Sequence, residues 1–119
     1  MPEENATGFD YGAQRAETEA RWAEMVAAGA PSRGLLDLHF VPGDAPDAIE
    51  FMGWLEDEGF DVEHYPAAAF EDGDETETLE AQTPPMDLSA EAIHAVERRV
   101  TEAALRHGYR PDGWGFIAA

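Results

Sequence analysis

Two stretches of this chain show the same order of periodicities, strand then helix then strand, and this order constrains the fold more than any other feature. Residues 34–41 alternate apolar and polar side chains, which is typical of a half-buried strand. The apolar members of this strand face one way: Leu36, Leu38 and Phe40. Residues 60–65 alternate again and predict a second strand.

A helix is predicted between these two strands. Asp44 is its expected N-cap, because the carboxylate can accept from free amides of the first turn, and Pro46 is tolerated that early. The expected buried face consists of residues at helical spacing: Ile49, Met52 and Leu55. Gly59 ends the helix.

The second stretch begins with residues 75–83, where threonine is frequent and apolar side chains are few. This composition predicts a strand with one face in water, ended by Pro84 and Pro85. Ser89 is the expected N-cap of the next helix. Its buried stripe is expected at helical spacing: Ile93, Val96, Val100, Ala103 and Ala104. A last strand is predicted over residues 109–117.

These elements run β-α-β-β-α-β, which predicts an α+β fold, the ferredoxin-like sandwich with an antiparallel sheet and both helices on one face. Right-handed crossovers place the strands in the order 4-1-3-2. Residues 13–28 predict an extra N-terminal helix. Its apolar face is expected to comprise Ala16, Ala20, Ala23, Val26 and Ala27, widened by Trp22 and Met25. Residues 1–10 are expected to form a mobile arm, leaving residues 11–119 as a single domain.

The charge of the chain indicates which classes of partner it attracts and which it repels. There are 26 acidic and 7 basic residues, a formal net charge of −19, and residues 34–97 contain 18 acidic residues without one lysine or arginine. Such a surface repels the phosphates of nucleic acid and anionic lipid and attracts basic partners, so we expect no direct nucleic acid binding. Solubility or salt adaptation explains the same acidity, and the sequence leaves both interpretations open.

Missing features exclude further classes of protein. The chain has no cysteine, which excludes disulfides and thiol catalysis. No stretch approaches the ~20 apolar residues of a transmembrane helix. The acidic, polar residues 1–5 do not resemble the opening of a signal peptide, so we expect a cytoplasmic protein that does not bind membranes.

Candidates for catalysis or metal binding are few. His39 and His64 lie beside acidic residues on the first two predicted strands, but the predicted strand order does not make these strands neighbours. No G-x-S-x-G elbow and no phosphate-binding loop occurs. We therefore expect no catalytic residue, no metal site and no cofactor.

The segment Asp112, Gly113, Trp114 and Gly115 is the most distinctive one. The favoured interpretation is that Trp114 closes the core at the last strand, and the alternative is that it anchors a partner. With residues 106–111, this segment resembles the closing motif of the RraB family, in which a helix leads into a strand containing Asp-Gly-Trp-Gly. Weaker similarities occur at residues 35–41, with His39 late in the strand, at residues 58–62 and in the acidic turn at residues 72–74.

The resemblance extends over residues 13–116 and implies a ferredoxin-like fold with an extra helix. It further implies a non-catalytic regulator that inhibits ribonuclease E by contacting the non-catalytic scaffold region of that enzyme. Some members of the family carry a long acidic tail after this motif, so the chain resembles a divergent member.

An acidic surface would then bind a basic segment of ribonuclease E. We expect its contacts to be acidic residues, with Trp114 as a candidate anchor: Glu56, Asp57, Glu58, Glu71, Asp72, Asp74, Glu75 and Glu77. Two alternatives remain open on the sequence alone. One is a small-ligand-binding or self-associating ferredoxin-like module, and the other is an enzyme that uses His39 or His64.

Overall fold

The computed structural model describes residues 9–65 and 77–118, which form three helices and one five-stranded sheet. The elements follow in this order along the chain: α1 (Tyr11–Ala27), β1 (Arg33–Pro42), α2 (Ala48–Asp57), β2 (Asp61–Tyr65), β3 (Thr78–Gln82), β4 (Met86–Asp87), α3 (Ala90–Arg106) and β5 (Tyr109–Ala118). In the described part of the chain, no helix is both long and apolar enough to cross a membrane.

The sheet confirms the predicted α+β, ferredoxin-like arrangement. Strand β1 pairs antiparallel with β3 on one side and with β5 on the other, and β2 pairs antiparallel with β3. The resulting order β2-β3-β1-β5 is the predicted order 4-1-3-2 read from the other edge. The short strand β4 was not predicted; after Pro84 and Pro85 it pairs with the start of β1.

The core lies between the sheet and the helices α2 and α3. Strand β1 alternates as predicted, with Leu36, Leu38 and Phe40 at most 2 % exposed. Buried residues of β3 lie on the same side of the sheet, and α2 and α3 pack against that side. The apolar core comprises Leu36, Leu38, Phe40, Phe51, Leu55, Phe60, Leu79, Ala81, Leu88, Ile93, Val100, Ala103, Ala104, Tyr109 and Trp114. Burying each large side chain contributes about 1.5–3 kcal/mol, so this layer supplies most of the stability.

Helix α3 begins and packs as the sequence predicts. The Ser89 hydroxyl accepts from the Ala92 amide at 3.0 Å, and Glu91 lies in the first turn, where the helix dipole favours an anion. The predicted stripe faces the sheet, with Ile93 and Val100 fully buried.

The predicted buried face of α1 is wrong. Ala16, Ala20, Ala23, Val26 and Ala27 are exposed, although Trp22 and Met25 do pack against the core. The side of the helix that is covered is instead formed by residues spaced three and four apart, namely the buried Tyr11, Gln14 and Thr18 and the partly buried Trp22 and Met25. Alanine gains little by burial, whereas the larger side chains of this second stripe fill the space above α3.

The predicted start of α2 is wrong, and its predicted face is wrong at Ile49 only, since Leu55 is buried and Met52 packs against the core. The N-cap is Asp47, whose carboxylate accepts from the Glu50 amide at 3.1 Å, and not Asp44. Ile49 is 79 % exposed, while Phe51 and Leu55 are fully buried.

A tertiary contact explains this shift in α2. The Asp47 amide donates to the His107 carbonyl at 2.8 Å, at the C-terminal end of α3. Gly108, with φ +82°, brings its backbone so close that a Cβ there would lie 2.5 Å from the carbonyl oxygens of Asp44 and Ala45. The end of α3 therefore holds the preceding loop and sets the residue at which α2 begins.

Parts of the sequence-based prediction fall outside the described residues. The predicted mobile arm lies there except for Phe9 and Asp10, and Asp10 caps α1 by accepting from the Ala13 amide at 2.9 Å. The start of the predicted third strand, residues 75–76, lies there as well. The arm and the single domain over residues 11–119 stay predictions.

Candidate functional site

One face of the sheet is turned away from α2 and α3. The strand register places alternate residues of the four long strands on this side, which we call the open face. On β1 it carries Leu35, Asp37 and His39, and on its neighbours the register partners of these residues: Glu80 and Gln82 on β3, and Gly113, Gly115 and Ile117 on β5. Strand β2 adds Asp61, Glu63 and Tyr65. The side chains of this face on β1 and β3 are half-buried, which leaves them accessible to a partner.

Carboxylates dominate the open face. Asp37, Asp61, Glu63 and Glu80 lie on three adjacent strands, and Glu63 is the direct cross-strand partner of Glu80. Like charges directly opposite each other destabilise a strand pair. The Tyr65 hydroxyl donates to Glu63, and this hydrogen bond, together with the charge of Glu63, raises the pKa of Tyr65 to about 12. The face therefore concentrates negative charge at a cost in stability.

His39 lies among these carboxylates. Its Nε2 atom is 3.1 Å from Asp37 Oδ2 and 4.0 Å from Glu80 Oε2, and the three side chains place ligand atoms within 4.8 Å of one another. A divalent cation accepts such a ligand set, but an imidazole that donates to flanking carboxylates satisfies the same geometry, and exposed acidic groups are common without an ion. The three side chains thus form a polar cluster on an acidic surface.

His64 lies on the opposite side of the sheet, so the structure does not bring the two histidines together. Its Nε2 atom is 2.7 Å from Glu77 Oε2, and the Tyr109 hydroxyl donates to the same oxygen. Burial, followed by this hydrogen bond, raises the pKa of Tyr109. The Glu77 carboxylate, expected from the sequence to contact a partner, is therefore already engaged within the fold.

The other predicted contact residues lie apart from the open face. Glu56 and Asp57 are exposed at the end of α2, and Glu58 accepts from Arg99 at 2.6 Å. Arg99 in turn lies over the ring of Phe60, 5.6 Å from its centre. The remaining four acidic residues lie outside the described residues: Glu71, Asp72, Asp74 and Glu75.

A β-bulge explains the distinctive segment at residues 112–115. His39 pairs with Gly113 but Phe40 pairs with Pro111, so Asp112 is an extra residue in β5. One extra residue reverses which face the following side chains occupy. Trp114 consequently turns into the core, where it is 6 % exposed, and Gly113 adopts φ +120°, a conformation that favours glycine. Trp114 closes the core, as the favoured interpretation of the sequence expected.

A groove of about 1080 Å³ runs between α1 and β5, with α3 behind it. Its wall on β5 includes Asp112, Gly113 and Trp114, and His39 lies at its border with the open face. Arg21 of α1 crosses to β5, where it donates to the Trp114 carbonyl at 3.1 Å and its guanidinium carbon lies 5.1 Å from the centre of the indole.

Behind the groove, α1 meets α3 through polar side chains, which we call the polar seam: Gln14, Thr18, His94, Glu97 and Thr101. The Thr18 hydroxyl donates to Glu97 Oε1 at 2.6 Å, and Gln14 Nε2 donates to Thr101 Oγ1 at 3.1 Å. Burial raises the pKa of Glu97, although the hydrogen bond from Thr18 acts in the opposite direction. Burial also lowers the pKa of His94. The seam is thus a buried polar contact rather than an extension of the apolar core.

The sequence interpretation did not identify the groove or the acidic face. Two signals for them are present in the sequence. Tyr11, Gln14 and Thr18 follow helical spacing and continue to Trp22, and the predicted strand order places Glu63 beside a carboxylate-bearing strand. The first signal is hard to detect because two of its members are polar.

Comparison with known proteins gives one family. The family model described as RraB, regulator of ribonuclease activity B, matches residues 15–116, from the second turn of α1 to near the end of β5. The match includes the bulged segment of β5, most of the open face and the part of the groove that lies after Gln14. No curated protein matches the chain.

Proposed function

The chain belongs to the RraB family, and from this membership we propose that it is a non-catalytic protein that binds a ribonuclease and lowers its activity. The match over residues 15–116 is the observation that carries the proposal, because it includes nearly every described element. The family description refers to regulation of ribonuclease activity, and we take this regulation to act through contact with the enzyme or with its assembly. We further propose that the protein meets its target in the cytoplasm.

We take the target to be ribonuclease E, and the bound region to be a basic segment outside its catalytic domain. The negative charge of the chain supports this choice, since 26 acidic residues against 7 basic ones would repel the RNA substrate itself. A regulator of this charge acts by binding the enzyme and not by binding its RNA substrate.

The open face supports a docking role for this charge. Asp37, Asp61, Glu63 and Glu80 lie on one side of three adjacent strands, accessible and close together. A basic segment laid across the face would relieve the repulsion between Glu63 and Glu80 as it binds. The exposed carboxylates of Glu56 and Asp57 at the end of α2 supply a second acidic patch.

A ribonuclease assay tests the proposal. Purified full-length ribonuclease E cleaves a fluorogenic RNA in the presence of increasing amounts of the chain, and binding is measured in parallel at low and high salt. We expect inhibition that saturates, and an affinity that falls as salt rises, because exposed charge attractions are screened over about 8–10 Å. Absence of both binding and inhibition at low salt would reject the proposal.

A pair of double variants identifies the surface. Glu63→Gln with Glu80→Gln removes two charges from the open face, and Glu50→Gln with Glu91→Gln removes two exposed charges at the starts of α2 and α3. We expect the first pair to weaken binding and the second to leave it nearly unchanged. Equal weakening by both pairs would mean that total charge, and not the open face, drives the association.

A further inference from the structure

The groove between α1 and β5 carries more negative charge than its one arginine offsets. Among the described residues that line it are Asp10, Glu17, Glu24, Glu97 and Asp112, against Arg21. The charge of Arg21 is directed to the β5 wall, where it bonds the Trp114 carbonyl and lies over the indole ring. The groove therefore favours a cation over an anion or a neutral group.

One buried polar atom beside the groove has no hydrogen-bond partner among the described residues. Gln14 lines the groove and is 8 % exposed; its Nε2 donates to Thr101, while its Oε1 accepts from none of the described residues. A buried acceptor left unpaired has given up its hydrogen bonds to water without replacing them, so its presence requires an explanation. A ligand that brings hydrogen-bond donors into the groove supplies one.

Glu97 adds a second acceptor at the back of the groove. Its residue is 8 % exposed, and Oε1 accepts from Thr18 at 2.6 Å. Within residues 9–65 and 77–118 this buried carboxyl forms no ion pair, and a charged donor is what would stabilise its ionised form. Thr18 and the charge of Glu17, both on α1, act on this carboxyl directly. The other titratable or charged groups that share the groove with it include Arg21 on α1, Asp112 on β5 and His39 on β1.

We infer that the groove binds an arginine side chain from an extended segment of the partner, with the Glu97 carboxylate as its counter-ion. The guanidinium carries five N–H donors in a planar fork, which suits two acceptors of different kinds better than the single point charge of lysine does. The inference rests on the proposed function, because it names the feature of the basic partner that the groove recognises. It places recognition at the bulged segment of β5, beside the open face.

Binding of a cation has a consequence for protons. Burial raises the pKa of Glu97 in the free protein, and a guanidinium beside the carboxylate lowers that pKa again. At a pH where Glu97 is partly protonated, binding therefore releases protons from Glu97 to solvent. Affinity is expected to increase as pH rises through this range.

A peptide titration tests the inference. The probe is an acetylated and amidated peptide of three arginine–glycine repeats, added to the ¹⁵N-labelled full chain at low ionic strength. Matched peptides carry lysine or the neutral analogue citrulline in place of arginine. We expect the arginine peptide to shift the indole resonance of Trp114 and the amides of α1, and the citrulline peptide to leave both unchanged.

Glu97→Gln and Glu91→Gln form a matched pair of variants, because each removes one charge from α3. Glu97 lines the groove, whereas Glu91 lies on the exposed first turn of the helix. We expect Glu97→Gln to weaken binding of the arginine peptide at least about tenfold and to abolish proton release, and Glu91→Gln to change neither. Proton release is measured by calorimetry in buffers of different ionisation enthalpy.

Three outcomes would overturn the inference: no binding of the arginine peptide, equal binding of the lysine peptide, or equal effects of the two variants. Binding that depends on Glu63 and Glu80 but not on Glu97 would assign the basic segment to the open face alone. None of these outcomes touches the proposed function, which depends on the ribonuclease assay with the intact enzyme. Failure of that assay with arginine binding intact would instead leave the groove without its proposed partner.

Discussion

Helix α3 has two buried sides, and they differ in chemistry. Towards the sheet it presents Ile93, Val100 and Ala103 to the apolar core, where each is fully buried. Towards α1 it presents His94, Glu97 and Thr101, whose partners on α1 are mainly polar. One helix thus borders a contact made by hydrophobic burial and a contact made by hydrogen bonds.

The apolar contact and the polar contact of α3 contribute differently to the fold. Apolar burial is strong and non-directional, so the core stabilises the fold and tolerates similar side chains. Buried hydrogen bonds contribute little net stability but penalise every misplaced partner, so the polar seam fixes where α1 lies. Among the described residues, Gln14 Oε1 and His94 Nε2 have no hydrogen-bond partner, which is consistent with a contact that serves binding.

The largest effect is expected in the apolar core. Phe51→Ala removes a fully buried ring that meets Phe40 at 5.3 Å and Tyr109 at 5.4 Å between ring centres. We expect the free energy of unfolding, measured with urea, to fall by about 3–5 kcal/mol. Ile49→Ala on the same helix is the control; since Ile49 is 79 % exposed, its loss should change stability by less than about 0.5 kcal/mol. Similar losses for both variants would contradict the observed face of α2.

An intermediate effect is expected in the polar seam. Thr18→Val keeps the shape of a fully buried side chain but removes the hydroxyl that donates to Glu97. Leaving that carboxyl without its donor should cost about 1–3 kcal/mol, whereas Thr18→Ser, which retains the hydroxyl, should cost less.

Hydrogen exchange shows where this loss acts. Amides of α1 should lose more protection than those of β1, because the seam holds α1 and the core holds β1. Uniform loss of protection over both elements would show that the two contacts form one cooperative unit.

The smallest effect is a change in pH dependence. Because the pKa of Glu97 is higher in the folded chain than its ordinary value of 4.5, its contribution to stability is fully present below that value and is lost as pH rises through the folded pKa. Glu97→Gln keeps the acceptor oxygen without the charge. We expect it to be more stable than the wild type at neutral pH and to show a flatter decline from acidic to neutral pH.

Urea unfolding of Glu97→Gln and Glu91→Gln across this range measures the difference. His94, whose pKa is lowered chiefly by burial, is present in both proteins and cancels in the comparison. Parallel pH profiles for the two variants would show that Glu97 titrates as an exposed carboxyl does.

Much of the apolar core could be predicted from the sequence, and little of the polar seam. Leu36, Leu38 and Phe40 alternate with polar residues. Successive side chains of a strand point to opposite faces, so this alternation identifies the buried face directly. In α1, the exposed alanines and the buried stripe through Gln14 and Thr18 share the same helical period. A prediction based on hydrophobicity places the alanines on the buried side. It cannot include the hydrogen bond between Thr18 and Glu97, which lie 79 positions apart.

The candidate site was predictable only in its charge. The sequence indicates an acidic protein and marks residues 112–115 as unusual, but an extra residue in β5 becomes visible only when β5 is paired with β1. That bulge turns Trp114 inward and exposes Gly113 at the groove. Glu77 and Glu58 were predicted to contact a partner because they lie in acidic stretches of the sequence. In the structure each is paired with a residue from another element, Glu77 with His64 and Glu58 with Arg99.

Apart from the short strand β4, the sequence by itself determined the element order and the order of the strands. It also determined the buried faces of β1 and α3 and the family, because each of these follows from local periodicity, chain connectivity or a contiguous motif. The tertiary structure alone decided where α2 begins, which side of α1 is buried, and that carboxylates from three strands share one open face. These features depend on pairs of residues far apart in the chain. Their energies arise only when the fold brings such pairs together, so no local pattern records them.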